Sequence, residues 1–367
     1  MIYLTHAEAA FTDKTELLDG LYPQRVHWFP ETYARVQTKM VYPPHKLAEK
    51  VLNPDLCEWL RGTPMKTAFI LAGGNQHFAG LNKMGKSPLT YEYKFLPLTL
   101  TQVYAGRVAQ QMGANDLIQT DATACVSSLK ACMDVQTLIR HYEFDRVIVL
   151  GVEDAVSASV LDFFGESGAS LTAAKEAETG VVPSAFDDKN QGFYVGQGAV
   201  LGVFHSLRAV NQLKMRPLAT LHGAYTASED CSNAIGQRQD GMGYTKAMSG
   251  AMAQARMLAK DIKVVKTHGT GTASNNAAER SAIESTLGGF IATSFKPKIG
   301  HTMGASGLLE SVMLCESISR GVVPAIPNRT QNDSVFLSQD TEAPSGLFLS
   351  LAAGMGNVYS AAIFEVM

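Results

Sequence analysis

The sequence lacks any apolar run near the ~20 residues that a membrane-spanning helix requires, and its opening stretch, MIYLTHAEAAFTDK, has no basic segment followed by an apolar one. Neither a membrane span nor a secretory leader is expected, and a cytoplasmic location is. Charge of one sign is also missing: the net charge is −3 over 367 residues, which gives no electrostatic footprint for nucleic acid. The five cysteines, at 57, 125, 132, 231 and 315, include no CxxC pair and are odd in number. Reduced thiols in a reducing compartment are therefore expected. None of the nine histidines lies within five residues of another or of a cysteine, so no local zinc-ligand spacing exists and no metal is expected. No G-x-S-x-G elbow occurs, and the Gly-rich runs lack the G-x-G-x-x-G spacing after a strand. A serine hydrolase and a Rossmann dehydrogenase both fit poorly on those grounds.

What is present is a composition of 46% hydrophobic and 18% charged residues, that of a globular chain with a sizeable core. The length suits one large domain or two intimate halves. Strand and helix patterns alternate, which predicts an α/β fold with sheets covered on both faces. Buried strands are expected at Lys66–Leu71, Arg146–Leu150, Ala199–Phe204 and Val264–Thr267, where β-branched residues concentrate. Helices are expected at Leu98–Met112, opened by Pro97, and at Ser127–His141, Thr245–Lys260, Ala277–Leu287 and Gly307–Arg320. The segment Leu207–Pro217 separates two comparable sets of elements, placing a boundary near residue 211. Each set contains an apolar segment, a small-residue turn, a long helix and another apolar segment, the pattern of an internal duplication into residues 1–211 and 212–367.

Cys125 falls in the first such turn, within DATACVSS, between a strand-like segment and a helix-like one. Backbone N–H groups at a helix start favour thiolate, by ~0.3 to 2 kcal/mol, while burial opposes it. A nucleophile and a small buried hydrophobe are both compatible with that placement, and for Cys132 and Cys315, inside helix patterns, the hydrophobe is expected. His268, in HGTGT, and His301, in KPKIGHTMGASG after Lys296, each lie close to a strand candidate and precede a helix candidate. Open α/β sheets put their chemistry at such strand ends.

The sequence resembles the β-ketoacyl-acyl carrier protein synthases, the decarboxylating condensing enzymes of fatty-acid and polyketide assembly. The likeness runs in order through DATACVSS, FDDKNQGFYVGQGAV (Phe186 to Val200), THGTGT with Glu279, SFKPKIGHTMGASG and AGMGNVYSAAIF (Ala353 to Phe364). It implies a thiolase-like, five-layer αβαβα fold built from two pseudo-symmetric halves. It also implies that Cys125 accepts an acyl group, that His268 and His301 hydrogen-bond the malonyl thioester oxygen as carbon dioxide leaves, and that Lys296 pairs with Glu279 and orients the histidines. By the same resemblance, backbone N–H groups of Cys125 and Met355 form an oxyanion hole, and Thr270 and Thr272 hold the pantetheine arm. Phe163 and Phe164 are candidates for the acyl pocket, with core packing the alternative.

No cofactor bound by the protein itself is implied; substrates ride on the phosphopantetheine of an acyl carrier protein. The implied partners are that carrier and a second subunit, as a homodimer or as a heterodimer with a chain-length-factor-like paralogue. Lys83, Lys86 and Lys94 are candidates for a carrier-facing basic patch, with a solvated face the alternative. A thiolase, which needs a second cysteine near the C-terminus, is a weaker reading because no cysteine follows Cys315. A non-catalytic chain-length partner is another, set against by retention of Cys125. The chain departs from the family pattern at Gly354-Met-Gly-Asn357, where a thioether replaces a gating ring, at Asn276 and Gln197, where acidic residues are usual, and over the first 66 residues, which match poorly.

Overall fold

A computed structural model describes residues 1–11, 34–35, 48–49, 51–73, 100–153, 158–171, 173–189, 192–231, 233, 236–331 and 333–367. Lys83, Lys86, Lys94 and Pro97 lie outside them. The main strands are β1 (Ile2–Phe11), β2 (Thr67–Ala72), β3 (Leu117–Asp121), β4 (Arg146–Val152) and β5 (Gly198–Ser206). They continue with β6 (Ala219–Ser228), β7 (Val264–Lys266), β8 (Ile291–Thr293), β9 (Leu347–Gly354) and β10 (Val358–Val366). Helices that matter here are α1 (Pro54–Gly62), α2 (Thr101–Gln111), α3 (Ser127–His141), α4 (Ala158–Glu166), α5 (Met242–Ala255), α6 (Ala273–Thr286) and α7 (Ser306–Ser319).

Strand order is β3-β2-β4-β5-β1 and then, through β1 against β6, β6-β10-β9-β7-β8. The first five strands and the last five follow the same plan read outward from the junction. In each set the second strand pairs in parallel with the third and the fourth. The fourth pairs antiparallel with the fifth, and the fifth with the first. The sets join where Ile2–Leu4 run antiparallel to Ala219–Leu221. Leu207–Leu213 forms a short helix between β5 and β6.

Alternation along the strands sorts the core into layers, as the period-2 geometry of a strand requires. Phe69, Leu71, Ile148 and Leu150 face outward beneath α1 and α2. Ile70, Val149, Ala352 and Ala362 face inward onto α3 and α7, which share one core with both sets of strands. Leu349, Leu351, Ala361 and Ile363 pack under α5 and α6 on the far side. The result is the five-layer αβαβα arrangement.

The central helices approach closely at Gly307, where an added Cβ would lie 2.6 Å from the Cβ of Leu129 and 3.2 Å from its backbone nitrogen. Gly307→Ala is therefore expected to cost ~1 to 3 kcal/mol through overpacking, read as a lower thermal unfolding temperature at a fixed scan rate. An unchanged temperature would mean the two helices have slack.

The expected helices form with shifted ends. Thr245–Lys260 becomes Met242–Ala255, stopped by Arg256 at φ 56°, and Ala277–Leu287 starts four residues earlier at Ala273. The poorly matching N-terminus supplies β1, the strand that joins the two sets.

Candidate active site

Each chemical group sits beyond the C-terminal end of a parallel strand. Cys125 follows β3, His268 follows β7, and His301 follows β8. Ala124 takes φ 49°, left-handed for a residue with a side chain, and opens a single 3-10 turn, Ala124–Val126, ahead of α3. The second set repeats the device: Met303 at φ 47° opens the turn Met303–Ala305 ahead of α7. Conformations of this kind cost roughly 1 to 3 kcal/mol each and survive where the surrounding structure holds them.

Cys125 is buried against Phe193, Val195 and Met303, with its Sγ 4.0 Å from Met303 Sδ. Burial pushes the thiol up to about 12, and the carboxylate of Glu153 adds to this, against a smaller pull from Lys296. Burial thus outweighs the helix-start field, and the resting Cys125 side chain is a protonated thiol. Cys132 and Cys315 are buried in the middle layer, as expected of small hydrophobes.

His268 and His301 meet edge to face, with ring centroids 5.3 Å apart. Both imidazoles lie well below their ordinary range, chiefly from burial and then from the nearby Lys296 ammonium; both rings are neutral at pH 7. The backbone N–H of Met303 donates to His301 Nδ1 at 3.2 Å. In the neutral ring that places the proton on Nε2, which makes His301 a donor at its other nitrogen. The Nδ1 atom of His268 is buried without a hydrogen-bond partner.

The expected Lys296–Glu279 pair is not what forms. Glu279 accepts from the backbone N–H of His268 (2.5 Å), the N–H of Gly269 (2.9 Å) and the side-chain amide of Asn275 (3.1 Å). It fastens the turn carrying His268, and three donors to two oxygens leave it no need of a cation. Lys296 Nζ instead donates to Glu310 Oε1 at 2.7 Å, and Lys266 Nζ reaches the other oxygen of Glu310 at 3.0 Å. All three side chains are essentially fully buried. Glu310 lies inside the hydrophobic pattern of α7, and Lys266 inside a buried strand. Charged residues in such positions are almost never fully buried unless paired, and that mismatch is the signal by which both can be found.

A cleft of about 280 Å³ brings together Cys125, His268, His301, Thr270, Thr272, Phe163, Phe164 and Met355. The hydroxyls of Thr270 and Thr272 are 3.1 Å apart on one wall. Phe164 packs edge-on against Phe193, which in turn meets His301, while Phe163 is half exposed at the mouth. Gly354 lies against the backbone of Cys125: a Cβ there would sit 3.3 Å from Cys125 N and 3.4 Å from Thr123 O. Met355, in the turn between β9 and β10, is 41% exposed. Among residues not singled out in advance, Asn275 accepts from Tyr244 (2.6 Å) and Gln237 (3.2 Å) while donating to Glu279.

A doubled α/β core with a cysteine and two histidines converging at the strand ends defines a thiolase-like protein. The chain matches the "Beta-ketoacyl synthase, N-terminal domain" over residues 57–209 and the "Beta-ketoacyl synthase, C-terminal domain" over residues 218–330. It belongs to the β-ketoacyl synthase family. It is 29% identical over 279 residues to the ketoacyl synthase alpha subunit of the tetracenomycin polyketide synthase of Streptomyces glaucescens, covering 73% of this chain and 64% of that one. It is 27% identical over 261 residues to 3-oxoacyl-[acyl-carrier-protein] synthase 2 of Staphylococcus aureus, covering 69% and 62%. The aligned region thus spans under two thirds of those relatives' length.

In fold, it superposes at a TM-score of 0.81 and 18% identity on a structure of a type II polyketide acyl-carrier protein in complex with its ketosynthase, covering 100% of this chain and 99% of that one. The ishigamide ketosynthase/chain length factor gives 0.76 at 19% identity, covering 100% and 99%.

Proposed function

We propose that this protein catalyses a decarboxylative Claisen condensation between an acyl group held on Cys125 and a malonyl thioester on an acyl carrier protein. The observation that carries the reading is the convergence of a buried thiol with two neutral imidazoles, one of them fixed as a donor. In the first step the Cys125 thiol displaces the carrier thiol from an acyl thioester, and its proton leaves with that carrier. Covalent capture divides a difficult coupling into two easier ones. In the second, the malonyl carboxylate departs as carbon dioxide and its electron pair moves into the thioester as an enolate. His301 Nε2–H, joined by His268, stabilises the oxygen on which that charge appears. The enolate carbon then attacks the Cys125 thioester, the oxyanion rests on the backbone N–H groups of Cys125 and Met355, and collapse expels the Cys125 thiolate, which regains a proton.

Neutral histidines suit this task. An imidazolium would bind the ground-state carboxylate as readily as the enolate, and only interactions stronger in the transition state accelerate the step.

Residues 1–211 and 212–367 serve as the two halves in this reading, with the nucleophile in one and both histidines in the other; the repeated strand plan supports it. Thr270 and Thr272 line the route for the pantetheine arm, Phe163 and Phe164 bound the acyl chain, and Met355 is its gate. An acyl carrier protein is the proposed partner, together with a second ketosynthase-type subunit. Solved proteins of the same fold include one in complex with its acyl carrier protein and one with its chain length factor. Specialised type II polyketide synthesis is the preferred setting, supported by the likeness to the tetracenomycin subunit.

Mixing the purified protein with acyl-carrier and malonyl-carrier thioesters should yield a β-ketoacyl-carrier, seen by mass spectrometry, with release of carbon dioxide. Co-expression with a cysteine-free paralogue should give a one-to-one complex of higher activity. A stable, fully active homodimer would argue against the heteromeric part of the reading, and absence of the β-keto product in both preparations would argue against the whole.

A further inference from the structure

We propose that Lys266 is a positioning residue of this site: by sharing Glu310 with Lys296, it leaves the buried cluster with one surplus positive charge directed at the two histidines. The inference rests on the reaction proposed above and concerns a residue to which that reaction gives no part.

Lys266 ends β7, two residues before His268, and its side chain is fully buried. Its ammonium has two partners, Glu310 Oε2 at 3.0 Å and the carbonyl of Leu351 at 2.7 Å. Leu351 belongs to β9, the strand that runs on to Gly354 and Met355. One side chain thus ties the strand leading to His268 to the strand leading to the loop facing Cys125.

The charge count is the main argument. With Lys296 alone, Glu310 would complete a neutral pair behind the histidines. With Lys266 on its second oxygen, the same carboxylate is divided between two ammonium groups. The charged groups facing Lys266 are Glu310, Lys296 and Glu279; Glu279 stands outside the Lys266–Glu310–Lys296 triad, its carboxylate held by the N–H groups of His268 and Gly269 and the Asn275 amide, and the surplus is that of the triad. Lys266 and Lys296 both act on His268 and His301 in the direction that disfavours imidazolium. In a dry pocket such a fixed positive field also favours negative charge on the oxygen to which the histidines donate. Lys266 supplies the surplus without touching substrate.

Lys266 is held at about 8, lowered by burial against the pull of Glu310. Its charge is present below that pH and is lost above it, so the step that uses the field should fade on the alkaline side in the same range. Acyl loading of Cys125, which does not use the histidine donors, should not follow that limb.

The test compares wild type, Lys266→Met and Lys266→Arg. Malonyl-carrier decarboxylation and Cys125 acylation are followed separately from pH 6 to 10. Lys266→Met is expected to load the acyl group normally, to decarboxylate roughly 10- to 100-fold more slowly, and to lose the alkaline limb near pH 8. Lys266→Arg, which keeps its charge throughout, should regain most of the rate and carry the limb upward. Should Lys266→Met fail to fold, the wild-type and arginine profiles decide the matter. Superimposable decarboxylation profiles in wild type and either variant would overturn the proposal. Failure of wild type to decarboxylate malonyl-carrier at any pH would instead overturn the reaction on which the proposal rests, and this inference with it.

Discussion

Cys125→Ala should carry no acyl group after incubation with acyl-carrier thioester, and its condensation rate should fall by at least ~10⁴-fold. The change is small in volume and leaves Phe193, Val195 and Met303 around a methyl group, so the fold should persist. The same variant should retain malonyl decarboxylation, because the histidine donors and the Lys296–Glu310–Lys266 cluster are untouched. Acyl transfer and decarboxylation therefore separate in one protein: the first is read by intact mass and the second by carbon dioxide release. Loss of both would show that the thiol has a part in shaping the malonyl site, which the geometry does not assign to it.

The second large effect is expected at Glu310. Glu310→Gln keeps the shape and removes the carboxylate that both buried lysines share. Breaking a buried ion pair from one side costs about 3 to 5 kcal/mol, and here two ammonium groups lose the same partner. The linkage has a definite sign. Lys266 is already depressed to about 8 in the intact cluster, with Glu310 pulling it upward, and without Glu310 it binds its proton still more weakly in the folded state than in the unfolded one. The unfolded chain then holds more protons, so stability rises with pH towards the ordinary lysine range. Glu310→Gln should thus melt well below wild type at pH 7 and recover part of the difference at pH 9. Equal melting temperatures for the two proteins at pH 7 would contradict the paired geometry.

The sequence disclosed the site more readily than the scaffold. Cys125, His268 and His301 each stand beside a small-residue turn, a placement that left a packing role open for each; the family resemblance grouped them, and the structure brings them to one cleft. The strands β6 and β9 were not legible, because ATLHGAYTAS and LFLSLAAG are rich in alanine, glycine and serine, small residues that give a weak strand signal. Small side chains are needed there because α5 on one side and the central helices on the other lie close to the sheet. The strand β1 was missed for a different reason: its long-range partners, β5 and β6, lie roughly 190 to 220 residues downstream, and nothing local marks that pairing. The repeat of apolar segment, turn and helix was legible, and the matching strand order is its three-dimensional form.

The error over Glu279 is instructive in physical terms. The family resemblance implied a Lys296 partner for Glu279, yet its place on α6 turns it onto the backbone N–H groups of His268 and Gly269, which would otherwise be unpaired. Glu310 escaped notice because it sits in the run SGLLESVMLCES beside a second glutamate, Glu316, and only its place inside the apolar pattern of α7 distinguishes it. The 15-residue helix α3 was placed to the residue, since its 3.6-residue pattern is uninterrupted from Ser127 to His141.

The most direct test is peptide-level mass mapping of the protein after brief exposure to an acyl-carrier thioester and then to malonyl-carrier. The prediction is an acyl adduct confined to the peptide bearing Cys125, which disappears on addition of malonyl-carrier as an equal amount of β-ketoacyl-carrier forms. An adduct on any other cysteine, or one on Cys125 that malonyl-carrier does not discharge, would contradict the assignment.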